Sequence, residues 1–318
     1  MTGKNATETL RADAAGIARA AAILRDGGLV ALPTETVYGL AARADSDEAV
    51  ARIYEAKGRP SFNPLIVHVA STDQAERLAV FDERARVLAD RFWPGPLTMV
   101  LPLRDDARLA GAVSAGLPTI ALRVPGHPVM RAVLDAGGVP LAAPSANRSE
   151  SVSPTSVAHV LATLDGRIDA VIDGGLCEQG LESTIVALRG SAGRPAGWSL
   201  LRPGPVTLAK IHAELGPPQD GPADRIEAPG QLARHYSPGK PVRLDADEAQ
   251  ADEFFIGFGA IAGDVSLSPV GDLAQAAARL YSCLHEGARS EKPRIAVAPI
   301  PATEIGIAIN DRLRRAAT

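Results

Sequence analysis

The sequence predicts an α/β fold, with a mixed sheet in a large N-terminal unit and a smaller α/β unit behind it. Three observations lead there. Short apolar runs of strand length alternate with segments of helical periodicity. The chain has 318 residues, 46% of them hydrophobic, enough for one large core and one small one. The alternation breaks once, over 216–241, where Pro217, Pro218, Pro222, Pro229, Pro238 and Pro241 stand among glycines. That stretch reads as a linker or a long ordered loop.

The elements follow in order. Residues 12–26 are alanine-rich and run into Gly27-Gly28, a helix with its stop. Leu29 to Leu32 reads as a buried strand ended by Pro33. Asp45, with Glu48 three residues on, resembles a capping box, and Val50, Ile53, Tyr54 and Lys57 carry that helix to Gly58. Leu65–Val69 is a short apolar strand, and residues 72–92 read as one helix stopped by Trp93-Pro94-Gly95-Pro96. Strands are expected at Thr98–Leu101, Thr119–Val124, Val139–Ala142, Ala170–Ile172, Ser183–Leu188 and Ser199–Leu201, with helices at 127–136 and 154–164. Beyond the proline-rich stretch, Phe254–Phe258 and Arg294–Ala298 read as strands, and 271–287 and 304–316 as helices. The expected organisation is a domain over 1–208, a linker over 209–240 and a small α/β domain over 241–318.

Composition excludes several classes. Net charge is −4, with both signs interspersed, and aromatics are only 4%, so neither a basic nucleic-acid face nor a base-stacking platform is expected. The two cysteines, Cys177 and Cys283, form no C-x-x-C, which argues against a disulfide framework or a zinc site and suits a reducing cytosol. No secretory signal or 18-residue apolar segment occurs, so no membrane span is expected.

Five polar segments stand at strand ends, where α/β sheets bind ligands. The first is Pro33-Thr34-Glu35-Thr36-Val37-Tyr38-Gly39-Leu40, equally readable as a turn with capping threonines. The second is Lys57-Gly58-Arg59-Pro60 with Asn63 and His68 beyond; its cations either serve the helix C-terminus or capture an anion. In the third, period-two alternation puts Thr119, Ala121 and Arg123 on one face of an apolar strand. A buried Arg123 needs an anionic partner, from the protein or from a ligand. The fourth is Ala142-Ala143-Pro144-Ser145-Ala146-Asn147-Arg148, followed by Ser153, which is expected to cap a helix beginning at Pro154. The fifth gathers Asp173-Gly174-Gly175, Gly180, Glu182-Ser183-Thr184-Ile185 and Leu201-Arg202-Pro203-Gly204. No Walker loop, H-E-x-x-H or G-x-S-x-G elbow occurs, and Gly257 to Gly263 misses the dinucleotide spacing by one residue.

Together these segments resemble the YrdC-like threonylcarbamoyl-AMP synthases. The likeness covers residues 17 to about 208 through P-T-E-T-V-Y-G-L at 33–40, K-G-R-P at 57–60, N-P-L-I-V-H at 63–68, W-P-G-P-L-T at 93–98, A-P-S-A-N at 143–147, E-S-T-I at 182–185 and L-R-P-G at 201–204. His235-Tyr236-Ser237-Pro238 resembles the linker motif of the longer, two-domain members, and residues 241–318, with Gly306 to Arg312 near their end, resemble their accessory domain.

The resemblance implies a YrdC-like twisted mixed sheet with helices around a concave cavity, plus a small Rossmann-like α/β C-terminal domain. It implies synthesis of L-threonylcarbamoyladenylate from L-threonine, bicarbonate and ATP with release of pyrophosphate, the first step of threonylcarbamoyl-adenosine formation in tRNA. By analogy Thr36, His68, Arg123, Ala143 and Ser183 would hold threonine. Arg59, Asn63, Thr119, Ser145, Ser153, Arg202 and Tyr236 would hold ATP, and Lys57 and Arg59 would serve the chemistry. Magnesium would accompany ATP without a protein ligand that the sequence identifies. The product would pass to downstream tRNA threonylcarbamoyl-transfer proteins, in the cytoplasm, with weak direct tRNA contact at most. Two rivals are an RNA-binding module, disfavoured by charge and scarce aromatics, and a carbamoyl-transfer domain of the hydrogenase-maturation type, disfavoured by the two cysteines.

Overall fold

A computed structural model describes residues 6–191, 194–218, 227–228 and 235–318. Within them the alternation resolves into two sheets. The first is built from β1 (Glu8–Arg11), β2 (Val30–Leu32), β3 (Gly39–Arg43), β4 (Ile66–His68), β5 (Leu97–Pro102), β6 (Thr119–Arg123), β7 (Leu141–Ala142), β8 (Ala170–Asp173), β9 (Thr184–Ser191) and β10 (Arg194–Arg202). Its helices are α1 (Ala14–Arg25), α2 (Asp47–Lys57), α3 (Thr72–Glu76), α4 (Glu83–Phe92), α5 (Gly111–Ser114), α6 (Pro128–Gly137), α7 (Val157–Leu164) and α8 (Leu208–Leu215). The second sheet has β11 (Val242–Arg243), β12 (Glu253–Gly257), β13 (Val265–Ser266) and β14 (Arg294–Val297), with helices α9 (Leu273–Arg289) and α10 (Gly306–Ala316).

The large sheet runs β1-β8-β2-β3-β7-β4-β6-β5-β9-β10 and is mixed: β4 lies parallel to β6, while β5 and β7 lie antiparallel to their neighbours β6 and β4. Both faces are covered, which is why β2 reads as an unbroken apolar run. Successive residues of β2 enter opposite cores. Ala31 joins the larger cluster with Ile53, Leu88 and Val160, while Val30 and Leu32 join the one built on α1 and α6. The small sheet is wholly parallel, in the order β11-β14-β12-β13, as the Rossmann-like expectation requires. Its core takes Val37, Val152 and Leu181 from the first unit, so the two units share apolar side chains. No helix among the described residues is long and apolar enough to cross a membrane.

Several local expectations are corrected. Ser46, not Asp45, caps α2, because both Asp45 oxygens are taken by Arg43 at 2.7 and 2.9 Å. The helix expected over 72–92 is two helices. Between them the backbone pairs instead with the end of β5 and the residues just after it, Val80 N–H to Pro102 O and Arg104 N–H to Leu78 O, and Asp82 starts α4 afresh. Ser156, not Ser153, caps α7. Strands β1 and β3 had no legible signal, since one is half charged and the other is mostly small residues. The expected linker, 209–240, opens with α8, whose Ile211 lies in the large core; much of the remainder lies outside the described residues.

Candidate active site

A cleft opens where the ends of β2, β4, β6 and β9 meet, with Tyr236 above them. Its first wall is the turn between β2 and β3. Thr34 does what a turn threonine does: its hydroxyl donates to Val37 O at 2.6 Å and accepts from the Thr36 and Val37 N–H groups. Val37 turns into the second core, and the Tyr38 hydroxyl donates to Gly175 O at 2.8 Å. Thr34, Thr36, Val37 and Gly39 of this turn line the cleft, and Glu35 lies outside its lining.

Arg123, at the end of β6, organises this wall. Its Nε donates to Gly95 O at 3.1 Å, its Nη1 to the Thr36 hydroxyl at 3.0 Å, and its Nη2 lies 2.7 Å from Glu35 Oε1. That last approach is an ion pair without hydrogen-bond alignment, and both Glu35 oxygens lack a hydrogen-bond partner. Burial pushes the Glu35 carboxyl up, but the Arg123 guanidinium outweighs it and holds it below its ordinary value. His68 is the register partner of Arg123 on β4. Burial, reinforced by Arg123, lowers its pKa to about 3, so the imidazole is neutral, and its Nδ1 has no partner.

The opposite wall carries the other cations. Arg59 donates from Nε and Nη2 to the carbonyls of Asn63 and Pro64 at 3.3 and 2.9 Å; burial lowers it to about 10, still cationic at neutral pH. Arg202 donates to Ser183 O at 3.0 Å and Ser183 Oγ at 3.1 Å, and that hydroxyl also bonds Thr98. Gly204 lets the L-R-P-G turn fold onto this strand: a Cβ there would lie 2.5 Å from Thr184 N. Lys57 behaves differently. Its ammonium donates to Ser145 O at 2.6 Å and Asn147 O at 2.5 Å, so it braces the A-P-S-A-N turn from behind, and burial lowers its pKa well below the ordinary value.

Tyr236 closes the cleft. It is fully buried, with a left-handed φ of 65°, a conformation that a tyrosine adopts only when its surroundings impose it. Its ring stacks on Tyr281, centroids 5.7 Å apart, beneath the Arg312 guanidinium at 5.3 Å, and its hydroxyl has no partner.

Of the residues singled out from the sequence, Thr36, His68, Arg123, Ala143, Ser183, Arg59, Ser145, Arg202 and Tyr236 line one cleft. Lys57, Asn63, Thr119 and Ser153 stand outside its lining. Asn63 is buried beneath Arg59, Thr119 opens β6 opposite Pro102, and Ser153 donates to Glu182 at 2.5 Å. Glu35 and Glu182 were visible only as members of motifs, and Tyr281 carried no signal, being one tyrosine on an amphipathic helix.

Comparison with known proteins places the whole chain in one family. Residues 22–204 match the family model described as "Telomere recombination", and residues 206–318 match "Threonylcarbamoyl-AMP synthase, C-terminal domain". The threonylcarbamoyl-AMP synthase of Bacillus subtilis is 41% identical, covering 98% of this chain and 95% of its own. The chain belongs to the threonylcarbamoyl-AMP synthase family. The family member of Pyrococcus abyssi is 39% identical over 93% of this chain and 92% of its own. A crystal structure of P. abyssi Sua5 complexed with L-threonine superposes with a TM-score of 0.87 at 36% identity, covering 98% of this chain and 97% of that one. The activity is the family's: synthesis of L-threonylcarbamoyladenylate, the first step of threonylcarbamoyl-adenosine formation in tRNA.

Proposed function

We propose that the cleft holds L-threonine against Arg123 and ATP against Arg59 and Arg202, so that a carbamate formed at the threonine amine faces the α-phosphorus. The observation that carries this is Arg123: a buried guanidinium in a cleft, whose protein carboxylate approaches at 2.7 Å without aligned hydrogen bonds. An incoming carboxylate can be met bidentately where Glu35 makes an ion pair without hydrogen-bond alignment. Thr36, Ser183 and the Ala143 backbone complete the threonine side, and neutral His68 offers Nδ1 without placing a second cation beside the amine.

The amine forms an N–C bond to the carbon of bicarbonate, with net loss of water. A carbamate oxygen then attacks the α-phosphorus, and the P–O bond to pyrophosphate breaks. This calls for placement and positive charge more than for a covalent nucleophile. Arg59 and Arg202 supply charge that stays on at neutral pH, with Ser145 beside them. Asn63, whose carbonyl accepts from Arg59, supports that wall, Lys57 fixes the Ser145 turn, and Thr119 and Ser153 stay on the nucleotide side of the proposal. Tyr236 keeps water from the carbamate.

The carboxylates beside the cleft are already engaged, Glu35 by Arg123 and Glu182 by Arg312, and no cluster of three potential metal ligands occurs among the described residues. Magnesium would arrive on the phosphates of ATP. A cytoplasmic setting and transfer of the product to tRNA-modifying partners complete the proposal. The test is pyrophosphate release, which should require threonine, bicarbonate and ATP together; release independent of threonine would overturn it.

A further inference from the structure

The second domain meets the cleft at Glu182, which stands beside Ser183 on the cleft wall. Ser153 donates to this carboxylate at 2.5 Å from the first domain, and its cationic partner comes from the other domain. Arg312 on α10 donates from Nε to Glu182 Oε2 at 2.8 Å, and from Nη2 to the carbonyl of Pro203, in the L-R-P-G turn, at 3.0 Å. Tyr281 on α9 donates its hydroxyl to the same carboxylate at 2.8 and 3.0 Å. Arg312 is wholly buried and also covers the Tyr236 ring. Adhesion between domains is a weak reason for such a contact, since a buried ion pair seldom stabilises more than an apolar replacement.

We propose that Arg312 and Tyr281 are positioning residues of the active site, acting through Glu182 to keep the charge of Arg202 available to the nucleotide. The proposal rests on the reading that Arg202 meets ATP. Arg202 is anchored on Ser183, the neighbour of Glu182, and its charge acts on that carboxylate. With Arg312 in place, Glu182 is neutralised from the far side. Without it, Glu182 is a buried anion whose strongest remaining cation is Arg202, and the guanidinium is drawn away from the phosphates.

The test is steady-state kinetics of the full-length protein for Arg312→Gln, Glu182→Gln, the double variant and Arg202→Ala. Arg312→Gln should raise the KM for ATP about tenfold and leave the KM for threonine within about twofold. In the Glu182→Gln background, where Glu182 no longer competes for Arg202, adding Arg312→Gln should change the KM for ATP by less than about twofold. That non-additivity is what a purely structural role would not produce. An equal penalty in both backgrounds, or fewer active molecules at unchanged KM, overturns the proposal. Should Arg312→Gln fail to fold, Tyr281→Phe decides: an increase of about threefold in the KM for ATP supports the proposal, and no change overturns it. Arg202→Ala separates the two levels. If it leaves the KM for ATP unchanged, the nucleotide assignment of Arg202 fails. If it raises that KM while Arg312→Gln does not, only the proposal fails.

Discussion

Two buried carboxylate–arginine pairs flank the cleft, and they are built in opposite ways. Glu35 and Arg123 belong to one domain and meet at 2.7 Å, yet neither Glu35 oxygen makes a hydrogen bond. Glu182 and Arg312 belong to different domains, and the Glu182 oxygens accept from Arg312, Tyr281 and Ser153. Burial pushes the Glu182 carboxyl up, but Arg312, Arg202 and its hydrogen bonds bring it down to about 2. The contrast teaches where a ligand can enter. When a substrate carboxylate takes its place, a pair without aligned hydrogen bonds gives up an ion pair but no hydrogen bond, whereas a fully bonded one loses both. On the proposed reading the first pair is the binding element and the second a fixed reference.

Four changes would break or sharpen this contrast. The largest effect is expected from Arg123→Ala, which removes the threonine anchor and leaves Glu35 buried and unpaired. Threonine-dependent kcat/KM should fall by on the order of 10²–10³, in line with the cost of breaking a buried pair. A fall of only a few-fold would mean that threonine is held elsewhere. Next is Tyr236→Ala. It empties the space between Tyr281 and Arg312, and pyrophosphate release at limiting ATP should drop about tenfold or more. An undiminished rate would remove the closing role. Third is Gly180→Ala. Gly180 has φ +68°, and a Cβ there would lie 2.5 Å from the Ala277 carbonyl oxygen and the Ala278 Cα, on the helix that carries Tyr281. Overpacking of this kind costs about 1–3 kcal/mol and should lower the melting temperature while raising the KM for ATP more than that for threonine. Equal shifts in both constants would sever the second domain from the nucleotide side.

The smallest effect concerns pH. His159 on α7 and His285 on α9 stack across the domain interface, 3.9 Å between centroids, and the Nε2–H of His285 donates to the Ser153 carbonyl oxygen at 3.1 Å. Burial lowers them to about 3 and about 4. In the unfolded chain both titrate near 6.5. Below that pH the unfolded state binds more protons, so their stabilisation is full above about 6.5 and is lost as pH falls toward 4. Glu182, with its depressed pKa, contributes above its ordinary value and loses that contribution only as pH falls from about 4.5 toward 2. Denaturation measured from pH 7 to 4 should thus weaken first through the histidines. Replacing His159 by Phe should reduce the slope by about one proton; an unchanged slope would locate the acid sensitivity elsewhere.

Much of this was legible because it is local. The seven motifs stand at or near the ends of strands and helices, and backbone chemistry explains several of their residues: Thr34 holds a turn, Gly58 ends a helix, Gly204 permits a close approach. What misled was also local. Asp45 and Ser153 have the chemistry of helix caps, but each side chain had a better partner, in Arg43 and in Glu182. Residues 72–92 have helical composition throughout, yet their middle pairs with the end of β5 and the residues just after it, which no window of sequence contains.

By itself the sequence determined the alternation of strands and helices, the polar turns at strand ends and membership of a family with its reaction, since each depends on residues near one another along the chain. Only the tertiary structure decided how the charges are shared. It joined Arg123 to Glu35, turned Lys57 toward two carbonyls behind the cleft and brought Arg312 to Glu182, 130 residues away. A cation's partner is set by which elements pack together, and a buried charge takes the partner that packing provides.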